Sequence, residues 1–576
     1  MNDIAPNNEF RFKRGSAILE YIRRFSATER VIFGIFVVAA GVSALAMAQM
    51  INSYFMVEIP SHGGELREGV IGLPHNINPI LAITDVDRDI SSLIYSGLLK
   101  YDGDRLVPDL AESYKISDDG LTYDFTLKPG VTFQDGVSLT ADDVAFTIQK
   151  IQDPTIRSPH RADWTDVTVS VVSPLEVKFI LKQAYNPFLS NTTIGIIPKH
   201  VWNGMNGDQF ALNDRNLEPI GSGPYKKASI TRAGGVPSEY HLTTWKDYYA
   251  TIPYLSNITF VFFADQEKVL AAMESGLISS LNSIQPEQAA KLTDAGTGDR
   301  KIITATLPRI FGVFFNQNQN PVLADKNVRQ ALEMTVDRQE LVKTVLTGFG
   351  SAINGPLPAN VSTSDANRSD LAGAQNILEK NGWKKNATSG IYEKKGAKNT
   401  VQTLAFDIDT ADTPDLKQTA EIVRDSWTAL GAKVGVKVFD SSDLYQNVIR
   451  TRKYDALLFG ELIGRDNDVY AFWHSSQRNS PGLNVAMYTN GRADKLLENI
   501  RTTSDEKVRR QNYTDLSAII GADIPAIFLY SPDFIYVIPQ SLKGVNVEGL
   551  AVPSDRFDSV KNWYMNTEKV WKIFAN

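Results

Sequence analysis

"VQTLAFDIDTADTPDLKQTAEIVRDSWTALGAKVGVKVF", residues 401–439, carries strand and helix periodicities in a single run. Residues 401–409 suit a strand. Thr413 and Pro414 then supply an N-cap and a first-turn proline, and Leu416, Ala420, Val423, Trp427 and Leu430 recur at helical spacing. Gly431 closes the helix, because glycine enters a left-handed C-cap without steric penalty. Val434, Val436 and Val438 then alternate on one face of a second strand. "SDLYQNVIRTRK" (442–453) predicts another helix and "YDALLFG" (454–460) a third strand. The order βαβαβ is the unit of a parallel sheet with crossover helices, and Trp427, inside the helix stripe, is predicted to be core.

Open sheets of this kind bind ligands at the carboxyl ends of their strands. The third strand runs into "LFGELIGRDND" (458–468), which puts Glu461, Asp466 and Asp468 at that end. One reading is a carboxylate that receives a cation. The other is a solvated turn that caps the next helix, since "NDVYAFWHSS" (467–476) can start a helix with Asp466 or Asp468 as cap.

Working outward, the N-terminal half reads as α+β. Leu121, Tyr123, Phe125 and Leu127 alternate after the turn residues Asp118, Asp119 and Gly120, predicting a hairpin over 114–127. Thr140 with Asp143 three residues later is a capping box that opens the helix "DDVAFTIQKI". "DVTVSVV" and "LEVKFIL" are further short strands, and "GSGPY" (221–225) is a tight Gly/Pro turn.

A chain of 576 residues exceeds one hydrophobic core, so two or more domains are expected. Its net charge of −7 argues against nucleic acid as a partner, which calls for a basic surface. With no cysteine, the chain has no disulfide, thiolate metal site, cysteine nucleophile or cysteine-linked lipid. Residues 31–50, "VIFGIFVVAAGVSALAMAQM", carry no charge and as a helix span roughly 30 Å, one bilayer core. Arg11, Lys13, Arg14, Arg23, Arg24 and Arg30 precede this span, so residues 1–30 are placed in the cytoplasm and the chain after about residue 57 outside. "AMA" at 46–48 resembles a signal-peptide cleavage site, but the long basic leader and the twenty-residue span favour a retained single-pass anchor over 31–57.

Several stretches together resemble a known family. "GLLKYDGDRLVPDLAESYKISDDGLTYDFTLKPGVTFQDGVSLTADDVAFTI" (97–148) is similar to the signature region of bacterial family 5 extracellular solute-binding proteins. These are the receptors of oligopeptide, dipeptide and nickel ABC importers. "EPIGSGPYK" (218–226), "VFFNQNQNPVLADKNVRQALEMTVDRQELVKTVLTGFG" (313–350), "INGPLP" (353–358) and "LAGAQNILEKNGW" (371–383) follow in family order.

The resemblance implies an α/β fold with an α+β portion, shaped as a two-lobed, periplasmic-binding-protein-like clamshell without enzymatic activity or cofactor. Lobe I would comprise residues 58–312, with an extra subdomain at about 101–215, and residues 532–576 returning to it. Lobe II would be 313–531, with hinge crossings near 313 and 531. The partners it implies are an oligopeptide ligand and ABC permease subunits, with the receptor acting as a monomer.

In peptide-binding members an aspartate in the loop after this third strand pairs with the ligand's α-ammonium. Carried onto this chain, that residue is Asp466, with Asp468 the alternative. The chain departs from the family in two places here: Glu461 follows Gly460 where relatives have tryptophan, and "DND" stands where "DPD" is usual. Ser96 likewise stands where many relatives have glutamate. Glu461 then reads as the partner of a second cationic group or as a solvated loop residue. Asn316 at a lobe crossing is expected to bond ligand backbone or its own loop. Tyr470 and Trp473 line the pocket or belong to the core. The six histidines show no metal-ligand spacing, although His474 beside the loop keeps a nickel-chelate ligand in view. No HExxH, GxSxG or GxxxxGK[ST] motif is present, so a hydrolase reading rests on abundant acids alone. A surface sensor or peptide chaperone is a further alternative on the same fold.

Overall fold

The computed structural model describes residues 24–282, 284–294, 298–357, 369–396 and 400–575. Arg11, Lys13, Arg14 and Arg23 of the basic leader lie outside the described residues, as does Pro358. Two compact units emerge: one holds the chain up to Ser61 with Asn566–Asn576, the other His62–Met565.

In the first unit a helix runs from Ala27 to Phe55. A reciprocal capping box opens it, with the Ser26 amide 2.8 Å from the Glu29 carboxylate. None of its residues is buried, and among the described residues it is the one helix long and apolar enough to cross a membrane. The strand Met56–Ser61 follows at once and pairs antiparallel with Asn566–Trp571, while the Phe55 and Trp571 rings stack with centroids 6.2 Å apart. Residues 58–61 and 566–571, assigned to lobe I above, therefore form a ribbon in the helix's own unit. Pairing between opposite ends of a chain leaves no trace in local periodicity.

The βαβαβ unit is present in His62–Met565. Ala405–Ala411 lies parallel to both Lys433–Phe439 and Ala456–Leu462. The helix Pro414–Leu430 crosses between them, buries Leu416, Ala420, Val423, Trp427 and Leu430, and ends at Gly431 with φ 115°. Val401–Thr403 instead pairs with Tyr392–Lys395 in a separate small sheet, so the strand expected over 401–409 divides at Leu404. On its other edge, Ala456–Leu462 pairs with Arg309–Phe315.

Two large apolar cores occupy this unit. One gathers residues from Ile310 to Tyr530, the other residues from Leu66 to Leu307 and from Phe534 to Trp563. The chain thus passes between cores at 308–309 and again at 531–533, so the changeover lies before the 312/313 boundary expected from sequence. One strand, Ala526–Pro539, serves both cores, pairing with Arg309–Phe315 in its first part and with Arg300–Thr306 in its last. The Ser531 hydroxyl donates to the Leu307 carbonyl at 2.8 Å, tying the two crossings together.

The segment around 101–215 adds a four-stranded antiparallel sheet to the second core. Tyr123, Phe125 and Leu127 are buried there, as their alternation predicts, and Thr140 and Asp143 cap the helix Ala141–Gln152. The Gly-Pro-Tyr turn packs against the end of the helix Asp85–Ile94. A Cβ on Gly221 would stand 2.1 Å from the Ile94 carbonyl oxygen, which is why that position takes glycine.

Candidate ligand cleft

The loop Gly464–Asp468 leaves the carboxyl end of Ala456–Leu462 from a fixed point. Ile463 is fully buried, and its amide donates to the Pro308 carbonyl at 2.8 Å, beside one chain crossing. Asn467 takes φ 53°, which turns the chain, and the Tyr513 hydroxyl lies 3.1 and 3.0 Å from the Asp466 and Asn467 carbonyls. The loop's acids consequently hold defined positions.

Their roles divide. Asp468 is already satisfied: Arg501 donates to it at 2.9 Å from Nε and 2.7 Å from Nη2, and the Tyr470 amide donates to it at 3.1 Å. Asp468 is therefore committed to Arg501 and to bracing the start of the helix Tyr470–Trp473 from the residue before its N-cap, Val469. Among the described residues Asp466 accepts a single hydrogen bond from a side chain, the Ser190 hydroxyl at 2.7 Å, and no cation forms an ion pair with it. Burial holds the Asp466 carboxyl above the usual aspartate range, and the Ser190 hydroxyl partly opposes that shift.

Two cavities meet at this loop. One of about 590 Å³ is lined by Tyr95, Ser96, Tyr101, Ser190 and Asp558; the other, of about 1000 Å³, by Asn186, Arg501, Arg509 and Tyr513; Arg465 and Asp466 belong to both. Arg465 crosses from one core's loop to the other core's 3₁₀ turn Pro553–Asn562. There it meets Asp555 at 2.9 Å and Asp558 at 2.7 Å, with its guanidinium 4.0 Å from the Tyr101 ring centroid. Burial and the neighbouring Asp555 push the Asp558 carboxyl up, and Arg465 pulls it back.

The remaining predicted residues lie elsewhere. Glu461 is neither solvated nor in the cleft: the strand continues through Leu462, and Glu461, opposite Ile310, points into the packing and is 3% exposed. Among the described residues neither of its carboxyl oxygens has a hydrogen-bond partner, and burial raises its pKa well above the ordinary glutamate value. Folding therefore favours the protonated acid. That preference costs nothing below the ordinary glutamate pKa and destabilises the fold increasingly as pH rises above it. Glu461→Gln is accordingly expected to raise the melting temperature at about pH 8, with the gap over wild type closing toward about pH 4. Thermal unfolding at the two pH values checks this; a gap that does not narrow on acidification contradicts it.

Asn316 is a loop brace, donating to the Arg452 carbonyl at 2.9 Å and accepting from the Asn318 amide at 3.2 Å, and it lines neither cavity. Trp473 is fully buried against Phe314 and Phe528. Tyr470 lies under Arg501, whose guanidinium is 3.9 Å from the ring centroid, and so supports the Asp468 pair from behind. His474 stacks on Tyr470 at 4.2 Å, and among the described residues no group of three His, Cys, Asp or Glu is placed to hold a metal. Ser190, Arg465, Arg501, Asp555 and Asp558 escape a reading of local sequence. Only the spacing of Asp555 and Asp558, three residues apart, was a visible signal.

Two apolar cores joined by paired crossings, with a charged cleft beside them, define a two-lobed solute-binding receptor. The chain belongs to the bacterial extracellular solute-binding proteins, family 5, whose middle region matches residues 105–482. It is 29% identical over 526 residues to the oligopeptide-binding protein AppA of Bacillus subtilis, covering 88% of this chain and 92% of that protein. It is 25% identical over 486 residues to a dipeptide-binding protein of Pseudomonas aeruginosa, covering 79% and 87%. The structure of Bacillus subtilis AppA with a nonapeptide superposes with TM-score 0.70 at 28% identity, covering 88% of this chain and 100% of that one. NikZ from Campylobacter jejuni, solved with Ni(L-His), gives TM-score 0.70 at 27% identity, covering 87% and 99%. These relatives are substrate-binding proteins, not enzymes.

Proposed function

We propose that this chain is a membrane-anchored, extracytoplasmic receptor that captures oligopeptides between its lobes and delivers them to an ABC permease. It has no catalytic role in this reading and works as a monomer. The observation that carries the proposal is Asp466: a fixed carboxylate between two cavities, held by one hydroxyl and, among the described residues, in no ion pair. A free α-ammonium is the one cation every unblocked peptide presents at a fixed place. Enclosed at low local dielectric, the pair gains the strength of a charge-assisted bond.

Lobe I would be built on residues up to about 307 with the return after 533, and lobe II on the residues between. Closure is a rotation about the tied crossings, favoured by any ligand that touches both lobes. Arg465 supports this reading, because it reaches from the loop of one core to Asp555 and Asp558 of the other. The helix Ala27–Phe55 holds the receptor at the membrane and raises its effective concentration near the permease.

Native mass spectrometry of the full chain released from detergent tests the proposal. Co-purified peptides of mixed sequence are the expected result. A single sugar or metal chelate bound in their place overturns it.

A further inference from the structure

The charges around the larger cavity are not all paired. Four arginines line it, Arg465, Arg501, Arg509 and Arg510. Arg465 is committed to Asp555 and Asp558, Arg501 to Asp468, and Arg510 to Glu506. Arg509 has no ion pair or side-chain hydrogen bond among the described residues, although it is partly buried. Of the four acids of the same wall, Asp468 and Glu506 are already paired with Arg501 and Arg510, which leaves Asp466, whose one side-chain hydrogen bond comes from Ser190, and Asp104, exposed at the tip of the hairpin Leu99–Pro108.

Arg509 is also well aimed. It sits on the helix Glu506–Asp523, one turn before Tyr513, so both residues share the face turned toward the loop. Tyr513 reaches the Asp466 and Asn467 carbonyls from that face, and the positive charge of Arg509 is felt at the Asp466 carboxyl. A cation and an anion, neither in an ion pair among the described residues, therefore stand on one cavity wall. The volume of about 1000 Å³ leaves room for a ligand side chain between them.

We infer that Arg509 is a specificity-determining residue that selects peptides carrying an anionic group close to their free amino terminus. This rests on the peptide reading above and narrows it to a ligand class. Asp466 takes the ammonium and Arg509 the anion, each in a pair that a ligand with only one charge leaves half made. The anion is a carboxylate, either on an acidic side chain near the amino end or at the free carboxyl end of a very short peptide.

The test is calorimetric titration of the full chain in detergent with matched peptides. Amidated heptapeptides carrying Glu or Gln at position 1 or 2 address the side chain; a dipeptide and its amide address the terminal carboxylate. Wild type is expected to prefer the anionic member of at least one pair by about tenfold. Arg509→Gln should erase that preference by weakening the anionic peptide more than its neutral partner, and Arg509→Lys should restore part of it. Equal affinities within every pair, or a preference that survives Arg509→Gln, overturn this inference alone. Failure of wild type to bind any free-amine peptide overturns the peptide reading along with it.

Discussion

Asp466→Asn is expected to weaken binding of a free-amine peptide by about 2–5 kcal/mol, the cost of truncating one partner of a buried charge pair. That corresponds to a loss of roughly 30-fold to several thousand-fold in affinity. The substitution keeps shape and hydrogen-bonding capacity, so the Ser190 contact at 2.7 Å has a partner in both proteins. Only the charge is removed. Titration of one peptide in free and N-acetylated forms separates this from a general loss of binding, because the acetylated form brings no ammonium and should lose little. Equal losses for the two forms, or an unchanged free-amine affinity, would remove Asp466 from the role.

A pH dependence follows with a definite sign. Burial raises the Asp466 carboxyl above the usual aspartate range, and the bound ammonium needs it ionised. Affinity for free-amine peptides should therefore fall on acidification, starting at a higher pH than an exposed aspartate would give. Affinity for the acetylated form should not follow it.

The second large effect concerns stability. Arg556 is fully buried and bridges Asp89 at 2.8 and 2.7 Å and Glu68 at 3.0 Å, both acids being equally buried. Tyr536 adds a hydrogen bond to Glu68 at 2.7 Å, and Asn282 one to Asp89 at 3.2 Å. Removing the guanidinium strands two carboxylates in an apolar surrounding, so Arg556→Met is expected to cost about 3–5 kcal/mol in unfolding free energy. Denaturant titration measures it. Burial already raises Asp89 to about 6 against the lowering influence of Arg556, so in the variant it climbs further. The deficit should thus be largest at neutral pH and shrink as pH falls toward the ordinary carboxylate range. Replacing Glu68 and Asp89 as well by apolar residues should recover most of the loss, since no stranded charge is left. A deficit that does not shrink on acidification would assign the role to packing.

The same cluster serves the cleft. Arg556 lies between Asp555 and Asp558 on one 3₁₀ turn, so its anchorage to the helix Asp85–Ile94 and the strand Glu65–Ile71 sets where those two acids meet Arg465. In the proposed closure, the stability of one core and its contact with Arg465 are thereby coupled through one buried side chain.

Local pattern made much of this architecture legible in the sequence. The crossover helix with its Thr413–Pro414 start and Gly431 stop, the alternating strands of 121–127 and the capping box at Thr140 are set by interactions within a few residues. So is the helix Ala27–Phe55, whose residues 31–50 carry no charge. The acidic loop could be placed at a strand's carboxyl end for the same reason. Which acid stays uncommitted could not, because that depends on Arg501, Ser190 and Tyr513, far away in the chain. Glu461 shows the limit most clearly. Its neighbours suggested a loop, and only pairing with Arg309–Phe315 carries the strand past it and turns its carboxyl inward. Periodicity set the elements; long-range pairing and burial decided which charges line the cavities and which are locked away.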